Sequence, residues 1–269
     1  MIKALFFDLD GTLLNSKNKI TLNTIKALQD CKSKGLKVFP TTGRPPLLDQ
    51  MLHLSPEEKY ILSDGGIFYN GGCICRKDSK EYNKISLETV EIVLSCLLNT
   101  KDINMVIQMS DEIHSFRFDI EEENLHLWGI TKNHLSPFNL FNKMDVVKMY
   151  MFSRNWDIQL DNIYTELKKL IGDNASVYLT SGGRTIDIVG KDVSKKTGIE
   201  KVIKCFNISP SEVAVFGDDT NDLDMLSGFA NSFAMGNAPD EVKAAARNIT
   251  LSNDEDGIYH AIKNVLCLI

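Results

Sequence analysis

The sequence predicts an α/β protein: a parallel-sheet core assembled from both ends of the chain, with an α+β segment inserted between them. Three observations lead there. Between residues 2 and 62, short apolar runs alternate with helical spacing, the rhythm of parallel strands joined by helical crossovers. Over residues 83–183, helices and strands come in runs, the pattern of an α+β layer with an antiparallel sheet. From Lys195 the alternation returns. The expected organisation is a core of residues 1–82 and 184–269 and an inserted domain of residues 83–183.

Each element has its own signal. Ile2-Lys3-Ala4-Leu5-Phe6-Phe7 is a short apolar run of buried-strand length, and Leu22, Ile25 and Leu28 then recur at helical spacing until Gly35. Leu36-Lys37-Val38-Phe39 predicts the next strand and Tyr60-Ile61-Leu62 another, before Gly65, Gly66, Gly71 and Gly72 punctuate the chain. Ser86 caps a helix bearing Val90, Val93, Leu94 and Leu97. Residues 104–109 and 112–118 are strand-like, and residues 121–143 are polar and weakly patterned. A strand at 146–152, a helix marked by Leu160, Ile163, Leu167 and Ile171, and strands at 176–180 and 185–189 complete the insertion. Ile199, Val202, Ile203 and Phe206 mark one helical face before Pro210 breaks it, and residues 213–216 form a strand. Pro239 suits the first turn of a further helix, and Ile258, Ala261, Ile262 and Val265 give a last amphipathic one.

A formal net charge of −6 argues against a nucleic-acid partner and an anionic membrane surface, since neither would be attracted over long range. The six cysteines lack metal-ligand spacing; Cys73 and Cys75 have no second pair nearby and are expected in a strand or loop as reduced thiols. The opening residues lack the basic start and cleavable apolar core of a signal peptide, and no apolar stretch is long enough to span a bilayer, so the expected location is cytoplasmic.

Ligands of an open parallel sheet collect beyond the carboxyl ends of its strands, and three such ends are loaded with polar groups. The first is Asp8-Leu9-Asp10-Gly11-Thr12, where alternation along an extended chain puts both carboxylates on one side. They repel unless a cation neutralises them. Asp8 then has the chemistry to attack phosphorus and form an aspartyl phosphate, with Asp10 supplying and removing the proton. The second end, Gly217-Asp218-Asp219-Thr220-Asn221-Asp222, is dense in the oxygen ligands a hard cation such as Mg²⁺ takes. Asp8, Asp218 and water together make an octahedral site. The third, Thr41-Thr42-Gly43-Arg44, offers a hydroxyl and turn amides for phosphate oxygens, with the Arg44 fork for phosphate or substrate. Lys191, Lys195 and Lys196 are candidates to offset phosphate charge. Each stretch alone also suits an ordinary turn, helix cap or solvated loop.

Asp8-Leu9-Asp10-Gly11-Thr12-Leu13, Thr42-Gly43-Arg44, Val193-Ser194-Lys195 and Gly217-Asp218-Asp219-Thr220-Asn221-Asp222 occur in the order found in the haloacid dehalogenase superfamily, and the chain resembles its Cof-type phosphatase branch. Phe233-Ala234-Met235-Gly236-Asn237-Ala238 and Glu255-Asp256-Gly257-Ile258 also resemble that branch. The resemblance implies a Rossmann-like core with a substrate-selecting cap inserted between the second and third motifs. It implies Asp8 as nucleophile and metal ligand, Asp10 as acid/base and backbone-carbonyl ligand, and Asp218 as the third protein ligand. It further implies Thr42 and Lys195 as phosphate binders, and Asn221 and Asp222 as supports of the metal site. The implied activity is Mg²⁺-dependent hydrolysis of small phosphorylated metabolites, sugar phosphates at the family level. A phosphomutase or phosphotransferase, and a non-catalytic phosphate-ligand sensor, are the competing readings. Three departures from the branch stand out. Pro40 predicts that the second strand ends early or bulges, Ser63-Asp64-Gly65-Gly66 stands where Ser-Asn-Gly-Ala is common and brings Asp64 toward the phosphate site, and Lys196 replaces a glycine.

Overall fold

Four consecutive apolar residues form β1 (Ala4–Phe7), and each is buried because helices cover both faces of its sheet. Leu5 and Phe7 pack into one core cluster and Ala4 and Phe6 into another. The structure, a computed structural model, describes residues 1–77, 79–97, 100–155 and 157–269. After the helix Leu22–Ser33, β2 (Lys37–Pro40) pairs in parallel with β1. Pro40 stays in register opposite Phe7, so the strand neither bulges nor ends early. It lies at the edge of the sheet, where proline's missing N–H costs no ladder bond.

Tyr60-Ile61-Leu62 is not a strand. Tyr60 and Ile61 end the helix Pro56–Ile61, which Ser55 starts by accepting from the Glu58 N–H while the Glu58 carboxylate accepts from Ser55 N–H. That capping box, with proline at the first helical position, overrides three apolar residues too few to define a period. The chain then forms a small antiparallel sheet of β3 (Gly66–Phe68), β4 (Cys73–Arg76) and β5 (Ser79–Tyr82).

The inserted segment supplies β6 (Ile103–Met109), β7 (His114–Phe116), β8 (Val146–Ser153), β9 (Ala175–Thr180) and β10 (Thr185–Gly190), hydrogen-bonded in the order β7-β6-β8-β10-β9. These strands pair antiparallel throughout. β10 belongs to this sheet and lies past residue 183, where the inserted segment was expected to end. Alternation sorts the sheet's two faces. Met105, Ile107, Met149, Met151, Ile186 and Ile188 pack with Val90, Val93, Leu167 and Ile171 of the helices Leu87–Leu97 and Asp161–Ile171. The intervening residues Gln108, Lys148, Tyr150 and Asp187 turn to the other face, toward the core.

The last segment returns to the first sheet. The helix Lys195–Cys205 leads to β11 (Val213–Gly217), then β12 (Asn231–Ala234) and β13 (Asn248–Ile249), giving a parallel sheet in the order β13-β12-β11-β1-β2. The two ends of the chain thus meet at β1 and β11, and the loops leaving these two strands face one another. Among the described residues, no helix is long and apolar enough to cross a membrane.

Candidate active site

Asp8 follows β1 directly, and its N–H continues the ladder by donating to Phe216 O at 2.9 Å. Gly11 lets the loop turn with φ +79°; a Cβ there would lie 2.2 Å from Asp218 Oδ2. Thr12 Oγ1 donates to Asp218 Oδ1 at 2.6 Å, tying the first loop to the loop after β11. Gly217 is equally tight, since a Cβ would lie 2.5 Å from Asp222 Cγ. That closeness lets Asp222 Oδ2 accept from the N–H groups of Asp218 and Asp219, at 2.9 and 3.1 Å.

Lys195 joins the two loops. It is the first residue of a helix whose cap, Ser194, accepts from Thr197 N–H. Its side chain is fully buried, and Nζ donates to Asp8 Oδ1 at 2.5 Å and Asp222 Oδ1 at 2.6 Å. Burial alone would lower the Lys195 pKa, but the charges of Asp222 and Asp8 raise it above the ordinary lysine value. Lys191 is exposed, and half-buried Lys196 points to Glu200 at 3.9 Å. Of the three candidate lysines, the site therefore contains Lys195.

One carboxylate oxygen from each of Asp8, Asp218 and Asp222 lies within 4.8 Å of the others. Burial pushes the Asp8 carboxyl well above the usual carboxylate range although Lys195 opposes it, and the charges of Asp222 and Asp218 add to the rise. Burial, followed by the Asp222 charge, pushes Asp218 up to about 7. Lys195 alone does not offset this charge density, and the donors are all hard oxygens, so the cluster fits a cation such as Mg²⁺. Asn221 Oδ1 adds a buried acceptor with no hydrogen-bond partner among the described residues. Asp222 is committed, one oxygen to Lys195 and the other to the loop backbone, whereas Asp8 uses only Oδ1, to Lys195, and Asp218 Oδ2 meets only Asn237 Nδ2 at 3.5 Å, so these two are the less committed carboxylates.

Asp10 projects outward, its side chain 53% exposed, and both its oxygens accept from Arg44: Nε to Oδ2 at 2.8 Å and Nη2 to Oδ1 at 2.5 Å. The Arg44 fork expected to face phosphate or substrate is thus occupied by Asp10, the nearest anion in the protein. Thr42 is buried and its Oγ1 accepts from Arg44 N–H, fixing the turn through Gly43. Asp8, Asp10, Thr42, Gly43, Arg44 and Asn221 all line a cavity of about 470 Å³.

Asp64, expected near this site, is elsewhere. It pairs with Lys32 at 2.6 Å and accepts from Val38 N–H, because it ends the turn after the helix Pro56–Ile61. The residue that reaches the site from this part of the chain is Asn70, fully buried at φ +54°. Its Oδ1 accepts from Asn221 Nδ2 at 3.0 Å and its Nδ2 donates to Asp187 Oδ2 at 2.9 Å. Lys148 Nζ meets Asp187 Oδ1 at 2.5 Å and donates to Gly43 O at 2.9 Å. This chain links the loop after β11, the loop after β2 and the second sheet. The sequence reading missed Asn70, Gln108, Lys148 and Asp187. For the last three the available signal was a polar residue within an apolar strand run.

Carboxylates at adjoining strand ends, a buried lysine between them and an inserted sheet over the cavity define a class: α/β proteins with an acidic centre under a second, inserted sheet. A family model for haloacid dehalogenase-like hydrolases matches residues 5–262, so the chain belongs to that family and is an enzyme of it. It is 28% identical over 267 residues to the chloroplastic endoribonuclease YBEY of Arabidopsis thaliana, covering 96% of this chain but spanning only 45% of that longer protein. It is 25% identical over 269 residues to the 5-amino-6-(5-phospho-D-ribitylamino)uracil phosphatase YitU of Bacillus subtilis, covering 97% of this chain and 96% of that one. Among solved structures, it matches the HAD subclass IIB sugar phosphatase BT4131 with a TM-score of 0.82 and 28% identity, over 99% of this chain and 100% of that one.

Proposed function

We propose that this chain is a magnesium-dependent phosphatase that hydrolyses phosphate monoesters of small metabolites, sugar phosphates in particular, through an aspartyl phosphate on Asp8. The contact that carries the reading is Lys195 Nζ on Asp8 Oδ1, with Asp218 alongside, at the edge of a cavity large enough for a small phosphorylated molecule. Asp8, Asp218 and the Asp10 backbone carbonyl would hold a magnesium ion, which when bound would offset the charge of Asp8 and of the incoming phosphate. Asn221 and Asp222 support it by fixing the loop.

In this reading Asp8 attacks phosphorus as the ester P–O bond breaks, and Asp10 gives its proton to the leaving oxygen. Water then attacks the phosphorus of the aspartyl phosphate, Asp10 takes the water's proton, and cleavage of the Asp8–phosphorus linkage frees phosphate. Thr42 and Lys195 hold the phosphoryl oxygens. Arg44 occupies both Asp10 oxygens in the arrangement described, so proton transfer requires that fork to open. An arriving phosphate offers the guanidinium a second anion and so favours the opening. Residues 83–190 act as the cap that selects the leaving group.

A panel of phosphorylated metabolites assayed with Mg²⁺ tests the reading. Steady release of inorganic phosphate supports it. Isomerised sugar phosphate without free phosphate would point to a mutase, and a single stoichiometric phosphorylation without turnover to a sensor. Chelation is expected to stop activity and Mg²⁺ to restore it. Calcium should restore it poorly, because its looser, higher coordination positions Asp8 less well. Full activity in metal-free protein would contradict the site.

A further inference from the structure

The cap side of the cavity carries a polar group that the chemistry above leaves unused. Gln108, on β6, is 2% exposed and lines the cavity, opposite Lys148 in the strand register and beside a register shift between Gln108 and Met109. Its Nε2 lies 2.9 Å from His114 Nε2, and His114 Nδ1 lies 3.0 Å from Glu112 O. A backbone carbonyl only accepts, so Nδ1 carries the ring proton and Nε2 is left as an acceptor. Burial also holds the His114 pKa down to about 4, keeping the ring neutral near pH 7. Gln108 Nε2 must therefore donate to His114, and Oε1 is the end left over. Oε1 has no hydrogen-bond partner among the described residues.

The neighbouring charges and hydroxyls on the cap strands are already paired with one another. Lys148 and Asp187 neutralise each other at 2.5 Å, and the Thr180 and Thr185 hydroxyls share a hydrogen bond at 2.6 Å. An acceptor with one fixed orientation, on a residue that is itself buried and faces a cavity, has a donor as its complement. Lys148, directly across from it in the register, is already paired with Asp187, so no net charge there favours an ionic donor. A neutral hydroxyl is the group that fits.

We infer, on the basis of the phosphatase reading, that Gln108 is a specificity-determining residue: its Oε1, oriented by His114, accepts a hydrogen bond from a hydroxyl on the substrate's leaving group. The substrate class is thereby narrowed to phosphate esters of polyols or sugars. His114 is a positioning residue and touches no substrate.

The test is a ratio. At saturating Mg²⁺, kcat/KM is measured for glucose 6-phosphate, ribose 5-phosphate and glycerol 1-phosphate. The best of these is divided by the value for phenyl phosphate, whose leaving group has no further hydroxyl. The wild-type ratio should exceed unity, and Gln108→Met should lower it about tenfold, the loss expected for one shielded neutral hydrogen bond. Gln108→Asn, which keeps the amide but withdraws it, should lower it less and serves if the Met variant does not fold. His114→Phe should also lower the ratio, since the released amide can flip its NH₂ toward the substrate. An unchanged ratio in Gln108 variants that still cleave phenyl phosphate would overturn the inference, as would a wild-type ratio below unity. A loss in the Gln108 variants with none in His114→Phe would overturn the orienting role. If the wild type cleaves neither substrate class, it is the phosphatase reading that has failed, and this inference falls with it.

Discussion

The Asp8 cluster and the Gln108 face line one cavity but are held together differently. Around Asp8, three buried or nearly buried carboxylates cluster beside one buried lysine that pairs with two of them, Asp8 and Asp222, so charge is left over and each member matters to all the others. Around Gln108 the charges cancel pairwise, Lys148 with Asp187, and the remaining groups are neutral donors and acceptors. In a shielded setting, removing one partner of a charged set leaves an uncompensated charge, whereas losing one neutral hydrogen bond has a smaller effect. Substitutions should accordingly be severe in the first region and graded in the second.

The largest effect is expected at Asp8. Asp8→Asn should abolish phosphate release, a loss of about 10³-fold or more, because an amide does not attack phosphorus. Melting should not be lowered, since burial already disfavours the charge that the substitution removes. Phosphate release paired with a melting curve checks both halves. Asp10→Asn should lose about 10²–10⁴-fold, most with poor leaving groups; a leaving-group series that runs parallel to wild type would remove Asp10 from proton transfer.

Lys195→Ala should lose most activity and also about 3–5 kcal/mol of stability, because Asp8 and Asp222 are left buried without their shared cation. Lys191→Ala and Lys196→Ala should stay within about 0.5 kcal/mol of wild type in a denaturant titration. Comparable losses in all three variants would break the contrast.

The smallest effect belongs to the cap face and follows from His114. Its pKa is about 4 in the folded protein against an ordinary 6.5, so between these values the unfolded chain binds the extra proton and the folded one does not. The associated stability is fully present above about pH 6.5 and is lost as pH falls toward 4. The loss is on the order of 3 kcal/mol. Replacing His114 with Gln should flatten the stability profile in that window. An equally steep profile in the variant would assign the acid sensitivity to other groups.

These two regions were also unequally legible in the sequence. Asp8, Asp10, Thr42, Lys195, Asp218, Asn221 and Asp222 fall in short contiguous stretches, each of which alone also suits a turn, cap or loop, so it was their order along the chain, matching a family's motifs, that singled them out. Lys195 could be separated from Lys191 and Lys196 because it starts a helix. Pairing was another matter: that Arg44 turns to Asp10, or that Asp222 spends both oxygens inside the protein, depends on loops brought together by β1 and β11. The Gln108 face depends on register across three strands, since Gln108, Lys148 and Asp187 meet only once β6, β8 and β10 are aligned. The strand at 185–189 was legible locally, but its pairing between β8 and β9 was not. Tyr60 to Leu62 was misread for the opposite reason: a local signal, the Ser55 capping box, was present and outweighed the apolar run.

The central claim, that Asp8 becomes phosphorylated during turnover, has a direct test. The wild-type enzyme is quenched in acid within one turnover of a cleaved sugar phosphate, treated with borohydride to reduce any acyl phosphate, digested and analysed by mass spectrometry. The account predicts homoserine at position 8, absent from a control without substrate and absent from Asp8→Asn. Unmodified Asp8 in an enzyme that still releases phosphate, or homoserine at a different aspartate, would contradict it.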